Sequence, residues 1–391
     1  MPSEGSTPKA EQRPYIGGQA VIEGVMMRSP RSLSVVVRRR SGALTVQERA
    51  MPNSRTGVLS WPLLRGVVTL VEALRLGSQA LRFSAEQYEA DLEEEERNEK
   101  GGGPSGTSGI ANTLRSALTL VTGGIVGLAT SDLEPASPAS GSSSGSSKSM
   151  TWLALIFALL LFVALPQAAA AGVGKLLGTE IDIRSPLFQA LTGVFKLIIV
   201  VGYMLVIRRI AEIRRVFMYH GAEHKAIATY EAQEDLTVEA ARGKPRLHPR
   251  CGTTFLVMVV FVSILVFSAI GPMLPKLPIG GIGENVLFFL LKLPFLPVIA
   301  AITYEIQRLT ARYCLRGPLR LTLYPGFAVQ GITTIEPDDA QLEVALASLR
   351  STLWREQAQG DAADANVMQY RDFSHLMEQP AYGASGRAGP A

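Results

Sequence analysis

The chain is poor in charged residues and in cysteine. Asp, Glu, Lys and Arg make up 18% of its 391 residues, below the ~25% that is usual for soluble domains. Hydrophobic residues make up 47%, and this balance excludes an ordinary soluble protein. Two cysteines are too few for a disulfide framework, so we expect a reducing compartment. The net charge of +4 is too small to indicate a nucleic-acid partner.

Four long apolar runs predict membrane-spanning helices and therefore contact with a lipid bilayer. They cover residues 151–172, 187–207, 254–274 and 285–304. Each run has about the ~20 residues that a helix needs to cross a bilayer. The glycine-containing run within 110–130 is shorter, and whether it enters the membrane stays open.

Lys196 lies inside the second apolar run. A lysine at that depth is either functional or paired inside the helix bundle, because an unpaired charge that faces lipid is costly. The sequence favours neither explanation, so Lys196 is kept as an additional candidate site residue.

The distribution of Lys and Arg predicts how the chain is oriented in the membrane. Nine of them lie in residues 208–251, and four arginines follow the fourth apolar run. The connections at 173–186 and 275–284 carry only two and one. The positive-inside rule therefore places both termini and the 208–251 loop in the cytoplasm.

The N-terminal part alternates between structured and low-complexity segments. Residues 1–14 are polar and are expected to be disordered, whereas 15–88 are expected to form a cytoplasmic hairpin followed by a helix. The hairpin is predicted at 32–49. Charged residues interrupt the apolar face of the helix and argue that it lies at the membrane surface or packs on a domain. Residues 89–149 are acidic and Gly/Ser-rich, which predicts a flexible joint.

The remaining segments alternate between membrane and cytoplasm. Residues 151–207 and 252–307 each hold two predicted transmembrane helices. In 308–350, the segment 327–337 favours a strand and the residues after it favour a helix, whereas 351–391 are polar and expected to be disordered. The predicted fold class is an α-helical multi-pass membrane protein with about four transmembrane helices and a small α+β cytoplasmic portion.

The loop between the second and third apolar runs holds the densest group of metal-ligand residues. His220 and His224 are four residues apart, so on a helix they share one face. With Glu223 they fit the pattern H-x-x-E-H of inverted zinc hydrolases, in which the histidines bind zinc and the glutamate is the general base. His248 and Cys251 form a second pair of good zinc ligands. The sequence therefore predicts a divalent metal cofactor, zinc by ligand type.

The sequence leaves three functions open. The first is a zinc-type membrane enzyme, a hydrolase at the cytoplasmic face with an unknown substrate. The second is a non-enzymatic scaffold, in which a four-ligand structural zinc site fixes the loop and the soluble part recruits a protein partner. The third is a transporter that uses Lys196 and the proline-interrupted fourth run, although four spans without a visible repeat argue against it. Self-association into a homo-oligomer stays open.

Two simpler explanations stand beside these hypotheses. The histidines and the cysteine also suit a polar, membrane-proximal helix in which they are hydrogen-bonded to the backbone. Glu305 lies at the cytoplasmic end of the fourth run and is an additional candidate ligand or proton carrier. A helix-end carboxylate paired with an arginine explains Glu305 more simply.

Longer motifs resemble the YqhQ-like bacterial membrane proteins, a family of unknown function described as predicted metal-dependent enzymes. The motifs are GGQAVIEGVMMR (17–28), RGVVTLVEALRLG (65–77), YHGAEHKAI (219–227), HPRCGTTFL (248–256), ITYEIQRL (302–309) and TTIEPDDAQLEVAL (333–346). The resemblance covers about 15–350 without the joint at 89–149. It implies a multi-pass inner-membrane protein and supports His220, Glu223, His224, His248 and Cys251 as the site, but it supplies no substrate.

Overall fold

A five-stranded antiparallel sheet brings the two ends of the chain together. The computed structural model describes residues 13–51, 57–100, 153, 156–178, 181–275, 281–314, 317–358 and 366–385. The strands follow one another across the sheet as β1 (Gly17–Val21), β2 (Gly24–Arg28), β3 (Ser32–Arg38), β4 (Leu44–Ala50) and β5 (Asn366–Tyr370). The hairpin predicted at 32–49 is therefore present as β3 and β4.

The rest of the described chain is mostly helical. The α-helices are α1 (Leu64–Lys100), α2 (Leu165–Leu176), α3 (Pro186–Ile207), α4 (Ala211–Glu231), α5 (Val238–Arg242), α6 (Gly252–Ile270), α7 (Gly281–Lys292), α8 (Leu296–Tyr313), α9 (Tyr324–Thr333), α10 (Asp339–Ala358), α11 (Phe373–Met377) and α12 (Pro380–Ala384). The long apolar helices and the sheet are joined through α1, α4 and α9.

Helices cover both faces of the sheet, because the central strands are apolar on both sides. Successive side chains of a strand point to opposite faces. Val36 therefore lies in a core cluster with residues of α4 and α10, and Val35 and Val37 lie in a second cluster with Leu76 and Phe83 of α1. The sheet is therefore a middle layer, with α4 and α10 on one face and α1 on the other.

Helix α1 links the sheet to the apolar helices and is longer than the sequence predicts. Its first turns pack against α8, and its middle packs against β1, β2 and β3. The helix continues to Lys100, because acidic residues of its last turns pair with arginines after β3, as Asp91 does with Arg39 at 2.7 Å. The expected flexible joint is thus wrong for 89–100, and 101–149 lie outside the described residues.

Among the described residues, four helical stretches are long and apolar enough to cross a membrane. They are Ile156–Leu176, Pro186–Ile207, Gly252–Met273 and Gly283–Tyr313. They coincide with the four predicted runs, so this part of the predicted fold class is confirmed. A π-helical turn at Leu160–Ala164 precedes α2. A 3-10 turn at Leu293–Phe295, which contains Pro294, separates α7 from α8.

The strand predicted at 327–337 is wrong, since this segment begins as helix α9. The side chain of Gln330 bonds the backbone of His248 and the hydroxyl of Thr254, which fixes the segment against α6. Only from Thr334 is the backbone extended. Packing on α6 thus overrides the strand preference of the β-branched residues.

The disorder predicted for 351–391 is wrong for the described part of that segment. Helix α10 continues to Ala358, β5 pairs with β4, and α11 and α12 follow. In the part at 366–385, three side chains are buried, namely Tyr370, Leu376 and Tyr382. Arg350 reinforces the contact by donating hydrogen bonds to the carbonyls of Tyr382 and Gly383. The disorder predicted for 1–14 concerns mostly residues outside the described ranges.

Candidate metal centre

Two of the candidate ligands share a face of α4, as their spacing predicts. Most residues of α4 from Tyr219 to Tyr230 are buried, because this half of the helix packs between the sheet and α10. The rings of His220 and His224 lie one helical turn apart, with 4.5 Å between their centroids. Both therefore point toward the same side of the helix, where the chain returns before α6.

Cys251 brings a third ligand atom to this face. One nitrogen of His220, one nitrogen of His224 and the sulfur of Cys251 all lie within 4.8 Å of one another. The Nε2 of His220 is 3.2 Å from Sγ. Cys251 caps the N-terminus of α6, and its sulfur accepts a hydrogen bond from the backbone N–H of Thr253. The N-terminus of a helix attracts negative charge, which suits a thiolate ligand.

Backbone carbonyls fix the orientation of both imidazoles. Nδ1 of His220 is 2.9 Å from the carbonyl oxygen of Thr333, and Nδ1 of His224 is 2.6 Å from that of Arg246. A carbonyl only accepts, so in each ring Nδ1 carries the hydrogen and donates it. The lone pair on Nε2 is then available, which is the arrangement that metal-binding histidines adopt. Burial lowers the pKa of His224, which favours the neutral, metal-binding form.

His248 lies beside this group without joining it. Its ring centroid is 5.8 Å from that of His224. Its Nε2 is 3.2 Å from a carboxylate oxygen of Glu231, and its Nδ1 accepts from the backbone N–H of Arg250. Both nitrogens thus have partners other than the group, so the structure brings together three of the four predicted ligands.

Glu223 is buried under β1 beside the two ligand histidines. Burial raises the pKa of its carboxyl to about 7, although the nearby His220 and His248 and the backbone N–H of Ala20 act in the opposite direction. The close approach of β1 requires glycine at position 18. A Cβ there would lie 2.8 Å from Cγ and 2.9 Å from Oε1 of Glu223. Because the pKa of Glu223 is raised to about 7, its neutral and ionised forms are both populated near neutral pH.

The two additional candidates lie away from the group. Glu305 accepts two hydrogen bonds from Arg65, at 2.7 and 2.5 Å, and so joins α1 to α8. This is the arginine pair that the simpler explanation expects. Lys196 lines a cavity among the apolar helices. Neither residue belongs to the group of ligand atoms formed by His220, His224 and Cys251.

Several residues that shape the site are not evident from the sequence pattern. Gln330 accepts from the backbone N–H of His248 at 2.9 Å and donates to its carbonyl at 2.7 Å. Gln307 donates to the carbonyl of Cys251 at 3.1 Å. Gln330 is a polar side chain within an otherwise apolar helix, and that contrast is the signal that sequence reasoning missed. Gln307 follows Glu305 in the polar end of α8 and gives no such signal. The carbonyls of Thr333 and Arg246 carry no side-chain signal at all.

The fold and the site define a mostly helical protein with four candidate membrane-spanning helices, a small antiparallel sheet and a His/Cys group between them. The chain belongs to the family described as protein of unknown function (DUF1385), whose model matches residues 61–355. It is 29% identical over 350 residues to the uncharacterized protein YqhQ of Bacillus subtilis (strain 168), over 87% of this chain and 92% of that relative. No solved structure matches the chain. The resemblance seen in the motifs is confirmed.

Proposed function

We propose that the chain is a zinc-type membrane enzyme, with the metal held by His220, His224 and Cys251. The observation that carries the proposal is the convergence of three ligand atoms within 4.8 Å, with both imidazoles held in the metal-binding tautomer. Two imidazole nitrogens and a thiolate are ligands that zinc prefers. The donor set therefore fits this metal without rearrangement of α4.

The number of ligands favours a catalytic site over a structural one. Structural zinc sites are closed by four protein ligands, whereas catalytic sites have three and leave one coordination position open. His248, the fourth candidate, is engaged with Glu231 and with the backbone of Arg250. The proposed site thus keeps an open position for a substrate.

A bound divalent ion supplies Lewis acidity, which polarises a carbonyl or phosphoryl group. In this chain, Glu223 is the group suited to move a proton. A general base is most efficient when its pKa lies near the working pH, and burial raises the pKa of Glu223 to about 7. We therefore assign Glu223 as the general base of a hydrolytic reaction, with the substrate left open.

The placement of the site favours a reaction at the cytoplasmic face of a bacterial inner membrane. The ligands lie on α4 and at the start of α6, where the sheet portion meets the apolar helices. The start of α1 exposes large apolar side chains nearby, among them Trp61, Leu64 and Val71. Such a surface suits contact with lipid, so a substrate would approach along the membrane.

Metal content of the purified full-length protein, measured by elemental analysis, tests the first part of the proposal. We expect about one zinc ion per chain. His224→Ala and Cys251→Ser should each lose it. His375→Ala is the matched control, because His375 lies on α11 and should have no effect. Protein prepared without chelator that holds no metal would contradict the proposal.

Glu223→Gln tests the assigned base separately from the metal. Because Glu223 is not a proposed ligand, the variant should keep its zinc. In a strain that lacks the native protein, it should fail to restore the cellular function that the wild type restores. A variant that keeps zinc and restores function fully would show that Glu223 is not the base.

A structural zinc site is the second candidate, and one observation favours it. One ion would cross-link α4 to the loop before α6, and the hydrogen bond from His220 to the carbonyl of Thr333 would connect this cross-link to α9. His248 is close enough to become a fourth ligand if its ring turned away from Glu231. X-ray absorption at the zinc edge distinguishes the two. Four protein ligands, with metal lost in His248→Ala, would establish the scaffold.

A further inference from the structure

A cavity with several polar side chains in its lining lies among the four apolar helices, away from the candidate metal centre. Its volume is about 60 Å³. Polar residues from all four helical stretches line it, namely Gln167, Gln189, Thr192, Lys196, Ser263 and Lys292. A cavity needs roughly 10–15 Å³ for one water molecule on this measure, so there is room for about four waters or for one small polyatomic ion.

The lining of this cavity carries positive charge without a matching negative charge. It contains two lysines, and no Asp or Glu is among the described residues that line it. Like charges that share an apolar site repel one another, and charged side chains inside a membrane usually pair. An anion bound between the two lysines would relieve this repulsion.

Neighbouring side chains hold Lys292 in place. Its side chain is almost fully buried, and Nζ donates to Oε1 of Gln189 at 2.8 Å. The same nitrogen lies 4.9 Å from the ring centroid of Phe267 and 4.4 Å from that of Phe288. Aromatic faces attract cations. These partners fix the position of the ammonium group, but none of them carries a negative charge.

The α3 side of the cavity has further donors that are free to bind a ligand. Thr192 and Lys196 are one helical turn apart on α3 and both line the cavity. The hydroxyl of Thr192 is buried and has no hydrogen-bond partner among the described residues. A buried hydroxyl without a partner is rare and points to a group that is not part of the chain.

We propose that this cavity binds a phosphate-type oxyanion, contacted by Lys196, Lys292 and Thr192. Lysine binds phosphate as a point charge, and a hydroxyl adds a directed hydrogen bond. The volume exceeds what a single water or halide ion needs. The oxyanion can be free inorganic phosphate or the headgroup of an anionic phospholipid that enters between the helices. The proposal does not depend on the metal site.

The test uses the full-length protein in nanodiscs and measures its thermal unfolding midpoint by tryptophan fluorescence. In phosphatidylcholine, inorganic phosphate is the first probe. Replacing part of the phosphatidylcholine by phosphatidylglycerol is the second. A ligand at saturating concentration that binds only the folded state raises the midpoint by a few degrees. Stabilisation by phosphate assigns the free ion, and stabilisation by phosphatidylglycerol alone assigns the headgroup.

Variants test whether the rise in the unfolding midpoint is caused by binding in the cavity. Lys196→Met and Lys292→Met should each lower the affinity for the probe that stabilises the wild type by about 30-fold or more, because each removes a charge from a buried ionic contact. Lys175→Met is the matched control, since Lys175 is exposed at the end of α2. If either Met variant fails to fold, Thr192→Val removes only one donor and should still weaken binding several-fold.

Two results would overturn the proposal. One is that neither probe stabilises the wild type. The other is that the midpoint shift persists unchanged in Lys196→Met, Lys292→Met and Thr192→Val. Lys196→Arg separates charge from general packing, because it keeps the positive charge and should retain binding at least in part. Loss of zinc in the ligand variants has no bearing on these outcomes.

Discussion

Gly221 lies between the two ligand histidines of α4 and is a sharp test of how the site is built. Glycine inside a helix costs about 1 kcal/mol relative to alanine, so its presence needs a packing reason. A Cβ at this position would lie 2.1 Å from the carbonyl oxygen of Ile335. That residue is tied to the same helix, since its N–H donates to the carbonyl of Phe217 at 2.9 Å. The helix and the 334–337 segment are therefore in direct backbone contact.

Gly221→Ala is expected to destabilise the protein and to weaken metal binding. The backbone of the 334–337 segment must move by about 1 Å or more to reach an ordinary contact distance of ~3.5 Å. Overpacking of this kind costs about 1–3 kcal/mol, and the helix preference of alanine returns at most about 1 kcal/mol. The same movement displaces the carbonyl of Thr333, which orients His220. Loss of such a partner typically lowers metal affinity about 10–100-fold.

The measurement compares the thermal unfolding midpoint and the zinc content of Gly221→Ala with those of Gly331→Ala. Gly331 is a helical glycine of α9 near the same segment, and a Cβ there meets nothing within 4 Å. The control should unfold at the wild-type temperature or slightly above it and keep its zinc. If Gly221→Ala also unfolds at or above the wild-type midpoint with full zinc content, the contact with Ile335 does not support the site.

Three further predictions concern the sheet portion. Burial raises the pKa of Glu48 in the folded protein. The neutral carboxyl therefore contributes stability below the usual glutamate pKa, and this contribution is lost as the pH rises through the raised pKa. Glu48→Gln should therefore raise the midpoint at about pH 8 more than at about pH 4.5, and an equal change at both would contradict this. Arg350→Met removes the guanidinium donor from the backbone carbonyls of Leu236, Tyr382 and Gly383, of which Tyr382 keeps a hydrogen bond from the Ser385 hydroxyl. The variant should cost about 2 kcal/mol and should expose 366–385 to limited proteolysis; unchanged protection would refute it. Glu23→Gln weakens the ion pair with Arg215, whose side chain is half-exposed. It should lower the unfolding free energy by less than about 1 kcal/mol. A larger loss in the same thermal assay would contradict this.

The apolar helices and the hairpin were predictable because each has a local cause. Bilayer thickness sets the length of a span, and composition alone identifies it. The valine run in β3 and the turn after it favour a hairpin in any context. By contrast, 366–385 forms only elements of five residues, which are too short to be predicted from their own pattern. Its order depends on the surface of α10 and on the edge of β4, which are far away in the sequence.

The candidate site was predictable in its side chains but not in its connections. The spacing of His220 and His224 predicts a shared helix face, and the second pair predicts a further ligand. Spacing does not decide which member of that pair faces the histidines. Cys251 does so because it caps α6, whereas His248 turns toward Glu231. That choice depends on the backbone before α6, which Gln330 fixes from a distant helix.

The sheet also constrains how the chain crosses the membrane. Strands β4 and β5 lie side by side, so the chain must return to the same side of the membrane between Ala50 and Asn366, and the number of crossings must be even. Helix α4 packs on β1, and of the candidate spans in the described part of the chain two lie before α4 and two after it. Together with the positive-inside rule, this predicts a cytoplasmic sheet portion and connections on the outer side at 177–185 and 274–282.

Cysteine labelling of intact cells with a membrane-impermeant maleimide tests this topology. Asp182 and Ala211 are both exposed and lie at opposite ends of α3. Asp182→Cys should be labelled in intact cells, whereas Ala211→Cys should be labelled only after the membrane is permeabilised. The native Cys251 and Cys314 lie on the predicted cytoplasmic side and should stay unlabelled in intact wild-type cells. The reverse pattern would contradict the orientation. Labelling of both variants from one side would contradict the even number of crossings, because α3 would then not span the membrane.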